Sequence, residues 1–173
     1  MIIFCIILSR GGALRLKRIR IYLDTSVISH LSAKEVPDKM NDTHILWEQL
    51  RGNIFTAVIS NITLEEIGKC PEPKRELLYK YLSEINFEQV SENEESIVLT
   101  SEYLNYGVLK NKSKDDLRHI ALATVLNIDY IVSWNFKHFV NVNTINKVAA
   151  INKLLNYKEI SILPPSMIIE GDE

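Results

Sequence analysis

Five short apolar runs, rich in β-branched or aromatic residues, punctuate the chain. They are residues 19–23 (IRIYL), 55–59 (FTAVI), 87–90 (FEQV), 129–133 (DYIVS) and 159–163 (EISIL). Between them lie stretches with apolar residues at helical spacing, at 27–31, 39–51, 63–67, 75–85, 91–104, 114–126 and 143–155. Short strands alternating with helices predict βαβ units, and hence an α/β fold with a mainly parallel sheet covered by helices on both faces. In such sheets ligands bind beyond the carboxyl ends of the strands. That rule selects the residues to inspect.

Asp24-Thr25-Ser26 directly follows the first run. Ser60 and Asn61 follow the second, and Glu66 lies one turn into the helix they cap. Ser133 and Asn135 follow the fourth. Asp116, with its neighbour Asp115, sits in the first turn of a helix that Ser113 is expected to cap. Each residue has a plain structural role open to it. Asp24 can cap a helix, Glu66 can be a solvated carboxylate beside Glu65, and Asp115 and Asp116 suit the positive end of a helix dipole. Together they form a different pattern. Carboxylates gathered at one sheet edge repel one another unless a cation sits among them. Oxygen ligands suit magnesium or manganese, and no cysteine or histidine at these strand ends points to zinc.

Charge narrows the rest. The 173 residues carry 20 Lys and Arg against 22 Asp and Glu, a net charge of -2. A protein that coats duplex nucleic acid non-specifically is usually basic. Any nucleic-acid contact here needs local positive charge, and Lys110, Lys112, Lys114, Arg118, His119, Lys137 and His138 cluster around the candidate site in sequence. The bland alternative for each is a solvated charge, and for His119 packing or a polar contact to the backbone. Trp134 is either a base-stacking ring or, the favoured reading, packing beside a strand end. Two cysteines, Cys5 and Cys70, lack disulfide or metal spacing and read as reduced thiols of a cytoplasmic protein. Residues 1–18 read as an N-terminal tail, disordered or the product of a start site assigned too far upstream. Residues 19–169 form one domain and 170–173 a C-terminal tail. The apolar stretch at the start is too short for a membrane span, and its positive charge follows rather than precedes it, unlike a signal peptide.

The strings IYLDTSVIS, SNITLEEI, DDLRHIALA and DYIVSWNFKHF, in this order, resemble the PIN-domain nucleases. The likeness is greatest to the single-domain bacterial type, many of them toxins of toxin–antitoxin pairs. It runs over nearly the whole chain after the tail. The resemblance implies a three-layer α/β/α sandwich with a central, mainly parallel sheet of about five strands. It also implies magnesium- or manganese-dependent cleavage of single-stranded RNA, leaving a 5′-phosphate and a 3′-hydroxyl. By position, the family's acids fall on Asp24, Glu66 (Glu65 being the weaker choice) and Asp116, with Asp115 a substitute. Its small hydroxyl residues fall on Ser26 and Ser133. Arg118, His119, Lys137 and His138 become candidate substrate contacts. One departure stands out: the fourth acid of many members is Asn135 here, within a WN-x-KH variant. An amide brings no negative charge, so the expectation is one firmly held ion and a weaker second.

Three readings compete with an active ribonuclease. The first is a PIN fold that binds RNA or a partner but cuts poorly because of Asn135. The second is a phosphatase using Asp24 as nucleophile, which usually wants another acid where Ser26 stands. The third is a non-catalytic interaction module. A toxin would imply an antitoxin partner, with a homodimer also open. The apolar helices around 40–50 and 75–85 are either the docking face or, as favoured, core packing.

Overall fold

The computed structural model of the chain describes residues 5–7 and 15–169, with side chains from residue 18 onward. Most of the expected N-terminal tail, and all of 170–173, lie outside the described residues. Within that tail β1 (Cys5–Ile7) pairs antiparallel with β2 (Arg15–Lys17) as a separate two-stranded sheet.

The main sheet has five strands: β3 (Arg20–Leu23), β4 (Thr56–Ser60), β5 (Phe87–Val90), β6 (Tyr130–Val132) and β7 (Ser161–Leu163). Their order is β5-β4-β3-β6-β7, and every pairing is parallel. The chain winds outward from β3 to β5, then returns to the other side of β3 for β6 and β7. Right-handed crossovers place the helices of these two journeys on opposite faces. Accordingly α1 (Thr25–His30), α2 (Pro37–Arg51) and α4 (Lys74–Leu82) cover one face. The other is covered by α5 (Glu94–Asn105), α6 (Lys114–Val125) and α7 (Val142–Leu154). The shorter α3 (Asn61–Gly68) touches both cores, through Ile62 on one side and Ile67 on the other. Strand side chains divide with period two: Ile21 and Leu23 pack into one core and Tyr22 into the other. This is a PIN-like α/β fold, with a fully rather than mainly parallel sheet.

Helix ends explain how the chain re-enters the sheet. Asn53, Asn127 and Asn156 follow α2, α6 and α7 with φ of 56°, 51° and 60°. In each case the next amide closes back on the last turn: Ile54 to Gln49, Ile128 to Ala123, Tyr157 to Asn152. That is the Schellman closure, made with Asn in place of Gly. Two helix starts differ from the expected ones. The stretch expected from 91 begins later as α5, capped by Asn93 in a reciprocal box with Ser96. Ser113 precedes α6 without a side-chain cap bond, because a 3-10 turn (Asn111–Ser113) leads into that helix.

The helices around 40–50 and 75–85 bury their apolar sides in the core through Leu46, Trp47, Leu50, Leu78 and Leu82. Among the described residues no helix is long and apolar enough to cross a membrane.

Candidate functional site

Strand order reverses between β3 and β6, so a crevice opens at their carboxyl ends. Asp24 and Ser133 stand there, one residue beyond each strand. Asp24 is only 5% exposed. It caps α1 by accepting from the Val27 amide. Its Oδ1 also accepts from Ser26 Oγ at 2.6 Å and its Oδ2 from Ser133 Oγ at 2.9 Å. The two serines act in parallel. Ser26 Oγ accepts the Trp134 amide at 2.8 Å, and Ser133 Oγ accepts the Asn135 amide at 2.9 Å. A hydroxyl has one proton, and each serine spends it on Asp24. Asp24 therefore pins the turn after β6 to the start of α1. Burial pushes its carboxyl up to about 6, against the hydroxyl bonds and the His119 imidazole that lower it.

Glu66 projects from α3 toward the same crevice. The Thr25 hydroxyl donates to its Oε2, and His119 Nε2 lies 3.5 Å from its Oε1. Burial pushes this carboxyl up, but His119 and Thr25 outweigh it and leave it below the usual glutamate range. Glu65 faces elsewhere, toward Asn61 and Arg118.

Asp116 arrives by a different route. α6 runs back against the strands and returns its first turn to their carboxyl edge. Asp116 Oδ2 is 2.9 Å from His138 Nδ1, and Oδ1 accepts from Asn135 Nδ2 at 3.1 Å. Burial raises this carboxyl, with His138 opposing. The orientation of Asn135 is fixed by its surroundings. One end accepts the His138 backbone amide at 3.1 Å, so that end is oxygen, and the other donates to Asp116. Asn135 thus holds Asp116 in place, with both ends of its amide engaged.

The expected basic rim splits. His119 is 1% exposed and lies beneath the site rather than on its rim. Its Nδ1 is 2.6 Å from the Tyr22 hydroxyl, which contacts Ser60 at 2.5 Å, and Ser60 in turn meets Thr63. Its Nε2 has no hydrogen-bond partner among the described residues and faces Glu66. Arg118 is spent on carboxylates: Glu92 at 2.5 Å, Asp115 at 3.0 Å and Glu65 at 3.4 Å. Asp115 is exposed and engaged there rather than in the crevice. Lys137 is exposed and His138 half-buried. Trp134 is packed, 6% exposed, with its Nε1 donating to Thr43 Oγ1 at 2.8 Å.

Sequence reasoning missed Tyr22, Thr25, Ser60 and Thr63 as the polar frame around the acids. A tyrosine inside an apolar strand was the available signal, since a buried phenol needs a partner.

The donor chemistry fits a hard cation. The three carboxylates interact electrostatically, Glu66 with both Asp24 and Asp116. No group of three or more His, Cys, Asp or Glu side chains forms a ready metal cluster among the described residues. Magnesium is commonly held by one or two carboxylates together with several waters.

Solved structures share this architecture. The chain is similar to one in VapBC2 from Rickettsia felis bound to a DNA fragment from their promoter. Identity is 16%, the TM-score 0.55, and the match covers 84% of this chain and 98% of the other. It is also similar to a chain of DNA-bound VapBC from Salmonella typhimurium, at 16% identity and TM-score 0.51, covering 85% and 98%. At such identity the likeness establishes the fold. No protein-family model matches the chain, and no curated protein matches it in sequence.

Proposed function

We propose that this chain is a divalent-metal-dependent endoribonuclease that hydrolyses phosphodiester bonds of single-stranded RNA, acting as the toxin of a toxin–antitoxin pair. The observation that carries the proposal is Asp24. A carboxylate held almost out of solvent at the switch point of the sheet, with its pKa raised by burial, is costly for stability alone. A perturbed acid in such a crevice is a functional candidate. Asp24 and Asp116 would hold the cation, with Glu66 beside them. A bound magnesium or manganese ion supplies charge for the phosphate oxygens and lowers the pKa of a water. The chain's own part is positional. Ser26 and Ser133 aim the two oxygens of Asp24, Asn135 and His138 aim Asp116, and Thr25 aims Glu66. The two VapBC neighbours, both solved on DNA, support an antitoxin-type partner for this chain.

The test is cleavage of a single-stranded RNA oligonucleotide with magnesium or manganese against EDTA. Metal-dependent cleavage lost in Asp24→Asn is expected. Cleavage that persists in EDTA would overturn the proposal. One observation favours a second reading, a PIN fold that binds RNA or a partner and cuts weakly: Asn135 brings no negative charge, and its amide already donates to Asp116 and accepts from the His138 backbone. Metal binding by calorimetry without measurable cleavage would select it.

A further inference from the structure

The structure divides the basic residues around the site into two unlike sets. On one side Arg118 is neutralised by three carboxylates, and the adjoining cleft is lined by Glu92 and Asp115 as well as by Lys114. On the other side a cleft of about 470 Å3 is lined by Lys110, Lys112, Lys137, His138, Asn143 and Lys147, and none of the described acidic residues lines it. Lys147 is held across its wall by donating to the Gly107 carbonyl at 2.8 Å. Lys110, Lys112 and Lys137 have no ion-pair partner among the described residues. The cleft reaches the candidate centre directly, because His138 lines it and also contacts Asp116 at 2.9 Å.

We propose that this lysine cleft, including Lys147 from α7, seats the backbone phosphates of the RNA strand and leads it to Asp116. The proposal rests on the nuclease reading above and adds the strand's path to it. In a chain of net charge -2, four lysines around an acid-free concavity concentrate positive potential where a polyanion is needed. A groove that tracks one backbone by charge is how single strands are bound without sequence preference. Lys147 lies far along the chain from the basic stretch at 110–118, and only the fold brings it there.

The experiment measures binding of a labelled single-stranded RNA oligonucleotide to the full chain in EDTA, by anisotropy, across a salt series. It compares wild type with Lys110→Gln/Lys112→Gln/Lys137→Gln/Lys147→Gln, and with a control, Lys80→Gln/Lys153→Gln, that removes exposed lysines elsewhere. A triple variant keeping Lys147 preserves the Gly107 contact and guards against a folding defect. Each lost phosphate contact on a single strand lowers the slope of log affinity against log salt by about 0.7, so the quadruple variant should lose about 2–3 from the slope. Its affinity at moderate salt should fall at least about tenfold, the triple variant's less, and the control's not at all. Unchanged affinity and slope in the quadruple variant would overturn the proposal, as would binding of polyglutamate but not RNA. Cleavage with manganese is scored separately. If wild type cuts and the quadruple variant cuts equally well, the cleft falls and the nuclease reading stands. If the cleft binds RNA and nothing is cut, the cleft stands alone.

Discussion

Asp24 and Asp116 face one crevice but are held in opposite ways. Asp24 is built into the joint between β3 and β6, satisfied by two serine hydroxyls and a backbone amide, and nearly sealed from water. Asp116 stands partly buried on the first turn of α6 and is held by an imidazole and an amide from the turn after β6. The inner acid is part of the fold's polar core, so changing it alters chemistry and stability together. The outer acid is aimed by the residues of one turn, so its orientation is set by its neighbours rather than by the core. Asn135 shows this: it keeps Asp116 oriented without adding charge.

The comparison breaks most sharply on substitution of the acids. Asp24→Asn and Asp116→Asn should each lower RNA cleavage by more than about 100-fold, beyond the 10–100-fold usual for groups behind the ligands. Only Asp24→Ala should also lower thermal stability clearly, because it strands the buried Ser133 hydroxyl at about 1–3 kcal/mol and removes the partner of the part-buried Ser26 hydroxyl. Equal stability of the two alanine variants would erase the distinction.

The pH dependence carries a sign. Asp24's folded pKa of about 6 lies above its ordinary 3.8, so between these values the native state binds more protons than the unfolded one. Stability from this group is then full below about pH 4 and lost as pH rises through 6, by about 3 kcal/mol for a shift of roughly two units. In metal-free protein, Asp24→Asn should therefore raise the melting temperature at pH 7–8 relative to wild type, with the gain vanishing near pH 4. A gain that grows in acid would contradict the burial account.

Asn135→Asp probes the outer corner. Replacing the amide donor with a carboxylate sets like charges beside Asp116, and without metal should cost about 1–3 kcal/mol. Millimolar manganese should restore the melting temperature, and denaturation scans with and without the ion would show it. The smallest effect is expected at Trp134→Phe, which loses the bond to Thr43 and about 1 kcal/mol while leaving cleavage intact. A large loss of RNA binding there would make the ring a base platform after all.

The fold was readable because buried parallel strands leave continuous apolar runs, and strand 87–90 needed no adjustment at either end. Placement of Asp24, Ser133 and Asp116 at one sheet edge followed from the same alternation. Other features depend on tertiary packing. His119, three residues after Asp116, was open to substrate contact or to packing; α6 is enclosed on nearly every side, and the ring packs inward to Tyr22 and Glu66. Arg118 was expected to meet substrate, but Glu92 and Glu65 reach it from distant segments. Lys147 carried no local signal, and its position depends on where α7 begins.

The most direct test is a crystal structure of the chain soaked in manganese at neutral pH. The account predicts an anomalous peak between the carboxylates of Asp24 and Asp116, with Glu66 alongside and Asn135 still bonded to Asp116. A manganese ion elsewhere, or none while Asp24 remains tied to Ser26 and Ser133, would contradict it.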